Sequence, residues 1–199
     1  MKLLAIADVH GDLALIRRLV RRANRKDIDI VVDIGDFTLF NQNMEKILEL
    51  YGKIRKPVLL IPGNHESNAK VDRLIEKHKY ISNIHRKIVK LKGFAFCGYG
   101  LGGFGKKDPE LRKLTRSWKP RLKKEKLIML VHGPPYKTVL DELHGGHVGC
   151  EDVNYAIKEL KPIIAVTGHI HENANRQQKI GSSIVLNPSW EGKVIEIKY

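Results

Sequence analysis

Short apolar runs alternate with amphipathic stretches along the first half of the chain. Residues 3–7, 28–34 and 58–61 carry nearly continuous aliphatic side chains, the pattern of strands buried on both faces. Between the first two runs, Leu13, Ile16, Leu19, Val20 and Ala23 share one helical face, while Arg17, Arg18, Arg21, Arg22 and Arg25 share the other. Asp12 stands where it can cap that helix. Residues 43–50 predict a second helix with Met44, Ile47, Leu48 and Tyr51 turned inward, and residues 68–79 a third.

The second half reads differently. Residues 88–91 and 94–97 predict paired short strands turning at Lys92-Gly93, followed by a glycine-rich loop, 98–105, and a basic stretch, 106–126. Residues 127–131 form another apolar run, and a long loop holding Pro134, Pro135, Gly145 and Gly146 leads to a helix over 153–160. A strand is expected over 163–167, and residues 183–186 and 193–197 alternate like the arms of a hairpin. No repeat or low-complexity linker interrupts the chain, so one domain is expected across residues 1–199. Strands alternating with helices, then extra strands, predict a layered α/β architecture with a mixed sheet or two packed sheets.

Composition agrees: 42% hydrophobic and 29% charged residues describe a globular chain rather than a disordered one. No stretch approaches the ~20 apolar residues of a membrane span, and the first run is too short for a signal peptide, so a cytoplasmic protein without a membrane partner is expected. Cys97 and Cys150 lack neighbours at metal spacing and are expected to be buried free thiols. The net charge of +14 suits an anionic partner. Nucleic acid is the weaker form of that reading, because the stretch 106–126 around Trp118 reads better as a surface lid or solvated helix than as a stacking platform.

The chemistry collects where strands end. Asp8 and His10 follow the first strand, Gly35-Asp36 the second, and Gly63-Asn64-His65-Glu66 the third. His132 follows the run 127–131, and Gly168-His169-Ile170-His171 follows the run 163–167. In open α/β sheets ligands bind beyond the carboxyl ends of strands, so these groups can converge though far apart in sequence. Imidazole and carboxylate without thiolate suit manganese, iron, nickel or zinc. Asp141, His144 and His147 lie in the long loop after Pro134-Pro135, where they read better as solvated loop residues than as a lining of the substrate entrance.

Taken together, Asp8-x-His10, Gly35-Asp36, Gly63-Asn64-His65-Glu66, His132 and Gly168-His169-x-His171 closely resemble the motifs of the calcineurin-like metallophosphoesterase superfamily. The pieces His132-Gly133-Pro134-Pro135 and Asn187-Pro188-Ser189 resemble its small prokaryotic phosphoesterases. The resemblance implies a four-layer α/β/β/α sandwich of two mixed sheets. It also implies two divalent ions, manganese favoured, one held by Asp8, His10, Asp36 and His171 and the other by Asp36, Asn64, His132 and His169. Water activated between the ions would attack a small phosphorylated substrate, diester or monoester, with His65 as acid or hydrogen-bond donor and Asp36 bridging. Glu66 either supports a ligand by hydrogen bonding or sits as a carboxylate at a helix N-terminus. Phe37-Thr38-Leu39-Phe40 after Gly35-Asp36 departs from the Val-Asp-Arg-Gly of Ser/Thr protein phosphatases, which argues against a phosphoprotein substrate. Nothing in the sequence sets an oligomeric state.

Overall fold

The computed structural model describes residues 1–197. In chain order the strands are β1 (Lys2–Ile6), β2 (Ile30–Asp33), β3 (Val58–Leu60), β4 (Ile81–Asn83), β5 (Lys87–Leu91), β6 (Phe94–Tyr99), β7 (Leu127–Val131), β8 (Glu142–Leu143), β9 (Gly146–His147), β10 (Ile164–Val166), β11 (Gln177–Ile180), β12 (Ser183–Leu186) and β13 (Lys193–Glu196). The helices are α1 (Leu13–Ala23), α2 (Met44–Tyr51), α3 (Asn68–Ile75), α4 (Pro109–Leu122) and α5 (Glu151–Leu160), and a single 3-10 turn covers His171–Asn173.

Two mixed sheets stack face to face. One runs β13-β1-β2-β3-β4 and the other β11-β12-β10-β7-β6-β5; β8 and β9 form a small separate hairpin. Alternation along each strand sorts its side chains between layers. Leu4, Ile6, Val31 and Leu60 face α1–α3. Leu3, Ala5, Ile30, Val32 and Leu59 face the second sheet, meeting Phe94, Phe96, Ile128, Leu130 and Val166. On the far side Leu127, Met129, Val131 and Ala165 pack against Leu111 and Trp118 of α4 and Val153 and Ile157 of α5. The expected α/β/β/α sandwich is therefore present, and burial on both faces is why the central strands read as unbroken apolar runs.

Local chemistry sets the helices. Asp12 caps α1, accepting from the backbone N–H groups of Ala14 and Leu15 at 2.9 Å each. In α4, Asp108 accepts from Leu111 N, and Leu111, Thr115, Trp118 and Leu122 recur on one buried face. Trp118, 2% exposed, is thus core and not a stacking platform. Both cysteines are buried free thiols, as expected.

Two expectations need correction, and one strand went unforeseen. Residues 183–186 and 193–197 do not form a hairpin: β12 pairs with β10 and β11 in one sheet, while β13 pairs with β1 in the other. Alternation identifies a half-buried strand but says nothing of its partner. The partner of β12, Gln177–Ile180, escaped notice because its QQKI sequence is that of a polar, solvent-facing edge strand. The third helix stops at Ile75 rather than reaching residue 79.

One polar pair is sealed among the helices. Asp33, fully buried at the end of β2, accepts from the Tyr51 hydroxyl at 2.6 Å and from Gly35 N at 3.0 Å. Burial raises its carboxyl to about 7, against the two donated hydrogen bonds. A proton is then held in the native state that the unfolded chain has already released, so this group makes stability fall as pH rises from about 4 to 7. Replacing Asp33 by Asn removes that titration. The unfolding free energy of Asp33→Asn from urea titration should rise relative to the wild type between pH 4 and 7 and keep a constant offset above, a change on the order of 3–4 kcal/mol over the window; parallel pH profiles would refute the assignment.

Candidate metal centre

The parallel register of β1, β2 and β3 in one sheet, and of β6, β7 and β10 in the other, brings their carboxyl ends to the same edge of the sandwich. Beyond that edge the loops continue to pair. Asp8 N donates to Gly35 O, His10 N to Asp36 O and Gly168 N to His132 O. Two contacts then cross between sheets: His169 N donates to both Asp8 carboxylate oxygens at 2.9–3.0 Å, and His132 Nδ1 lies 2.8 Å from Ile34 O.

The chain is bent hard to achieve this. Asp8, His10, Asp36 and His169 all have left-handed backbones, with φ of 57°, 47°, 53° and 73°. Such conformations are uncommon outside glycine, are tolerated best by Asp, Asn and His, and gather at functional sites. At Gly35, with φ of 97°, a Cβ would stand 2.3 Å from Gly63 N, and at Gly63 it would stand 2.1 Å from Asp36 Oδ1. The two loops therefore meet backbone to backbone, which only glycine allows.

The side chains named from the sequence lie close together at this edge. Ligand-type atoms of Asp8, His10 and His171 cluster within 4.8 Å of one another, as do those of His10, Asp36 and His65, and those of Asp36, His132 and His169. Asp36 Oδ2 is 3.4 Å from His132 Nε2 and 3.9 Å from the Nε2 atoms of both His10 and His65. Asn64 Oδ1 is 3.0 Å from His132 Nε2. The long-loop residues lie elsewhere, as expected. Asp141, however, is not solvated: fully buried, it accepts from Thr138 N, Lys137 N, Gly149 N and His147 Nδ1 and so ties the loop together, while His144 stays exposed.

Electrostatics and unmet valence both fit a cation. Burial opposes charge on Asp36, but the His132 and His65 contacts outweigh it and bring the carboxyl down to about 2. Burial also lowers His169, to about 4, and His10, which keeps both rings neutral with lone pairs to offer. His132 alone is raised, to about 9, because Asp36 and Asp8 overcome its burial. A pocket that pulls a proton onto a fully buried imidazole is one that welcomes positive charge. His169 Nε2 and His10 Nδ1 are buried without a hydrogen-bond partner, and His10 Nε2 and His171 Nε2 converge to 2.9 Å. The Nδ1 of His132 is occupied at Ile34 O, which turns Nε2 inward toward Asp36 and Asn64, as the atom that would bind a metal. These groups fit divalent ions.

A model of the calcineurin-like phosphoesterases matches residues 1–173. The chain belongs to that family. As a phosphoesterase it is a hydrolase of phosphoric esters, and its family is divalent-metal dependent. A Thermus thermophilus protein shares its fold with a TM-score of 0.79 at 17% identity, over 96% of this chain and 89% of that one. A dimetal phosphatase from Danio rerio gives 0.70 at 12%, over 96% and 88%. A novel archaeal phosphodiesterase gives 0.57 at 16%, over 95% and 84%. At these identities the likeness is one of fold. No curated protein matches the sequence of this phosphoesterase.

One feature was left open by the sequence and another was missed from it. Glu66, 5% exposed, is a staple: one carboxylate oxygen accepts from Asp36 N and Gly63 N, both at 2.8 Å, and the other from Thr38 N and its hydroxyl at 2.9 and 2.7 Å. It fastens the β2 and β3 loops of the phosphoesterase to each other, and nothing in a one-dimensional pattern announces four donors converging. The other is a set of apolar side chains around the site: Phe40 stacks on His65 with centroids 4.1 Å apart, Phe104 is 4.6 Å from the His169 ring and Trp190 is 6.2 Å from that of His171. Their position in glycine-rich or strand-end loops was the available signal. Replacing Glu66 by Gln puts an amide nitrogen against at least one buried N–H, and should lower unfolding free energy by roughly 2–3 kcal/mol. An unchanged urea midpoint would show that the staple is dispensable.

Proposed function

We propose that this phosphoesterase uses two divalent ions to hydrolyse the phosphodiester or phosphomonoester of a small substrate. The observation that carries the reading is the placement of Asp36 between two ligand clusters, with Asp8, His10 and His171 on one side and His132 and His169 on the other. Asp8, His10, Asp36 and His171 would hold one ion, and Asp36, Asn64, His132 and His169 the second. Manganese is the first candidate among manganese, iron, nickel and zinc, on the imidazole–carboxylate donor set. When bound, the pair supplies Lewis acidity to the phosphoryl oxygens and to water.

The chain's own residues do the rest. Asn64 contributes a neutral oxygen, which spares an anionic substrate a further negative neighbour. Asp8 is oriented by the two bonds from His169 N, so the far sheet sets its direction. His65 is the group assigned to proton or hydrogen-bond donation. The N–H of Phe40 donates to its Nδ1 at 3.3 Å, so the neutral ring carries its hydrogen on Nε2, the atom facing Asp36. Ligation through Nε2 would demand the opposite tautomer and set two N–H groups against each other. His65 Nε2–H is thus free to point at the departing oxygen. The cleft lined by Asp8, His10, Leu39, His65, His171 and Trp190 has a volume of about 580 Å³, the size of a pocket for a small molecule.

Asp36→Asn should cut manganese-stimulated hydrolysis of bis(p-nitrophenyl) phosphate by about 10³-fold or more and lower bound metal; wild-type turnover in that variant would end the proposal. His65→Asn should retain two ions per chain by elemental analysis yet slow turnover by roughly 10²–10⁴-fold. Loss of both ions from it would instead make His65 a ligand.

A further inference from the structure

Seven large hydrophobic side chains stand exposed among the described residues, and four of them, Leu39, Phe40, Phe104 and Trp190, border the metal centre. They come from three separate loops, after β2, β6 and β12, so chance along one segment does not explain the grouping. Phe40 is already engaged, one face of its ring stacked on His65. Leu39 and Trp190, 41% and 40% exposed, are the apolar members of the cleft lining, and the other members are Asp8, His10, His65 and His171. Among the described residues no lysine or arginine lines that cleft, although the chain carries 36 of them.

We infer that Trp190 and Leu39 form a base-binding subsite, so that the substrate class is a nucleotide-type phosphoester whose nucleobase stacks on the Trp190 indole. This rests on the phosphoesterase reading above and names the substrate of the same site. The physical grounds are three. An exposed indole beside a reactive centre gains most by covering its face with another flat π-system, which stacking rewards for any base. Trp190 stands one ring's distance from His171, so its partner must sit within a few bonds of the phosphorus; a sugar supplies that spacing, whereas a long acyl chain would outrun the short apolar patch. Without basic side chains in the cleft, the organic part of the substrate has no second anion to be recognised there, which favours a neutral base over a polyanionic backbone.

Trp190 is held ready for this. Ala7 N donates to Ser189 O, Ser189 N donates in turn to Asn187 Oδ1 at 2.9 Å, and Asn187 Nδ2 donates to Ile170 O, between His169 and His171. The loop that carries the indole is therefore bonded to the segment that carries the two histidines, and the ring keeps a set position against the centre.

The test uses two esters with the same leaving group, the p-nitrophenyl ester of thymidine 5′-monophosphate and p-nitrophenyl phosphorylcholine, with manganese added. The wild type should favour the thymidine ester by about tenfold or more in kcat/KM, in line with the stacking of one base. Trp190→Ala should collapse that ratio toward one, Trp190→Phe should retain most of it, and Leu39→Ala should lower it in part. A second reading needs no turnover. The protein has two tryptophans, and in a Trp118→Phe background Trp190 alone emits, so thymidine 5′-monophosphate should quench the fluorescence and phosphocholine should not. Equal use of the two esters by the wild type, a ratio untouched by Trp190→Ala, or a ratio lost in Phe104→Ala instead, would each overturn the inference. An enzyme inert toward both diesters would defeat the diesterase form of the proposed function, and the quenching experiment would still decide the subsite: nucleotide-specific quenching sustains it, and none overturns it.

Discussion

Two carboxylates, Asp8 and Asp36, are held almost out of water at the seam between two sheets, and the structure around them answers that charge. A buried carboxylate is costly unless donors or cations surround it. Here the donors are imidazoles delivered from four strand ends, with backbone N–H groups of His65 and His169 closing on the carboxylate oxygens. His132 shows how strong the demand is: though sealed from solvent, it is pulled toward the protonated state. Divalent ions would satisfy the same demand with far more charge.

The need to bring these groups together explains otherwise wasteful choices in the chain. Four left-handed Asp and His residues, and a glycine contact so close that no Cβ fits, are concentrated in loops a few residues long. Each costs stability, and each is over-determined by packed strands on either side. The Glu66 staple belongs to the same device, since it exchanges four buried donors for one buried charge and locks the β2 and β3 loops in mutual register. Rigid loops on a two-sided core are what allow a centre to be set by backbone geometry.

Charge and shape divide the recognition of substrate. The excess of positive charge lies on the outer surface, on faces such as the arginines of α1, where it draws anions at long range. At short range the cleft is lined by Asp8 and three imidazoles and edged by aromatic rings, so under the proposed reading selection there would turn on ring geometry rather than on net charge. A nucleic-acid platform around Trp118 has no support, because that ring is spent in the core between α4 and the second sheet.

Much of this was legible in one dimension. Unbroken apolar runs marked strands covered on both faces, the 3.6-residue stripes marked the helices, and Asp, Asn and His beside glycine at each strand end marked the residues that converge. Those signals are local, because propensity, periodicity and turn chemistry act over a few residues. Pairing was not legible: β12 and β13 looked like one hairpin, yet they were sent to opposite sheets by which neighbour each could bury against. Nor were the roles of Asp33, Glu66 and Asp141, whose meaning depends on donors contributed from elsewhere in the chain. The sequence by itself determined most of the elements, the layered class and the inventory of reactive groups; the tertiary structure alone decided which polar edge segments became strands, which strand adjoined which, which polar groups were buried together and which rings stood at the rim, since distance, burial and desolvation exist only once the layers have closed.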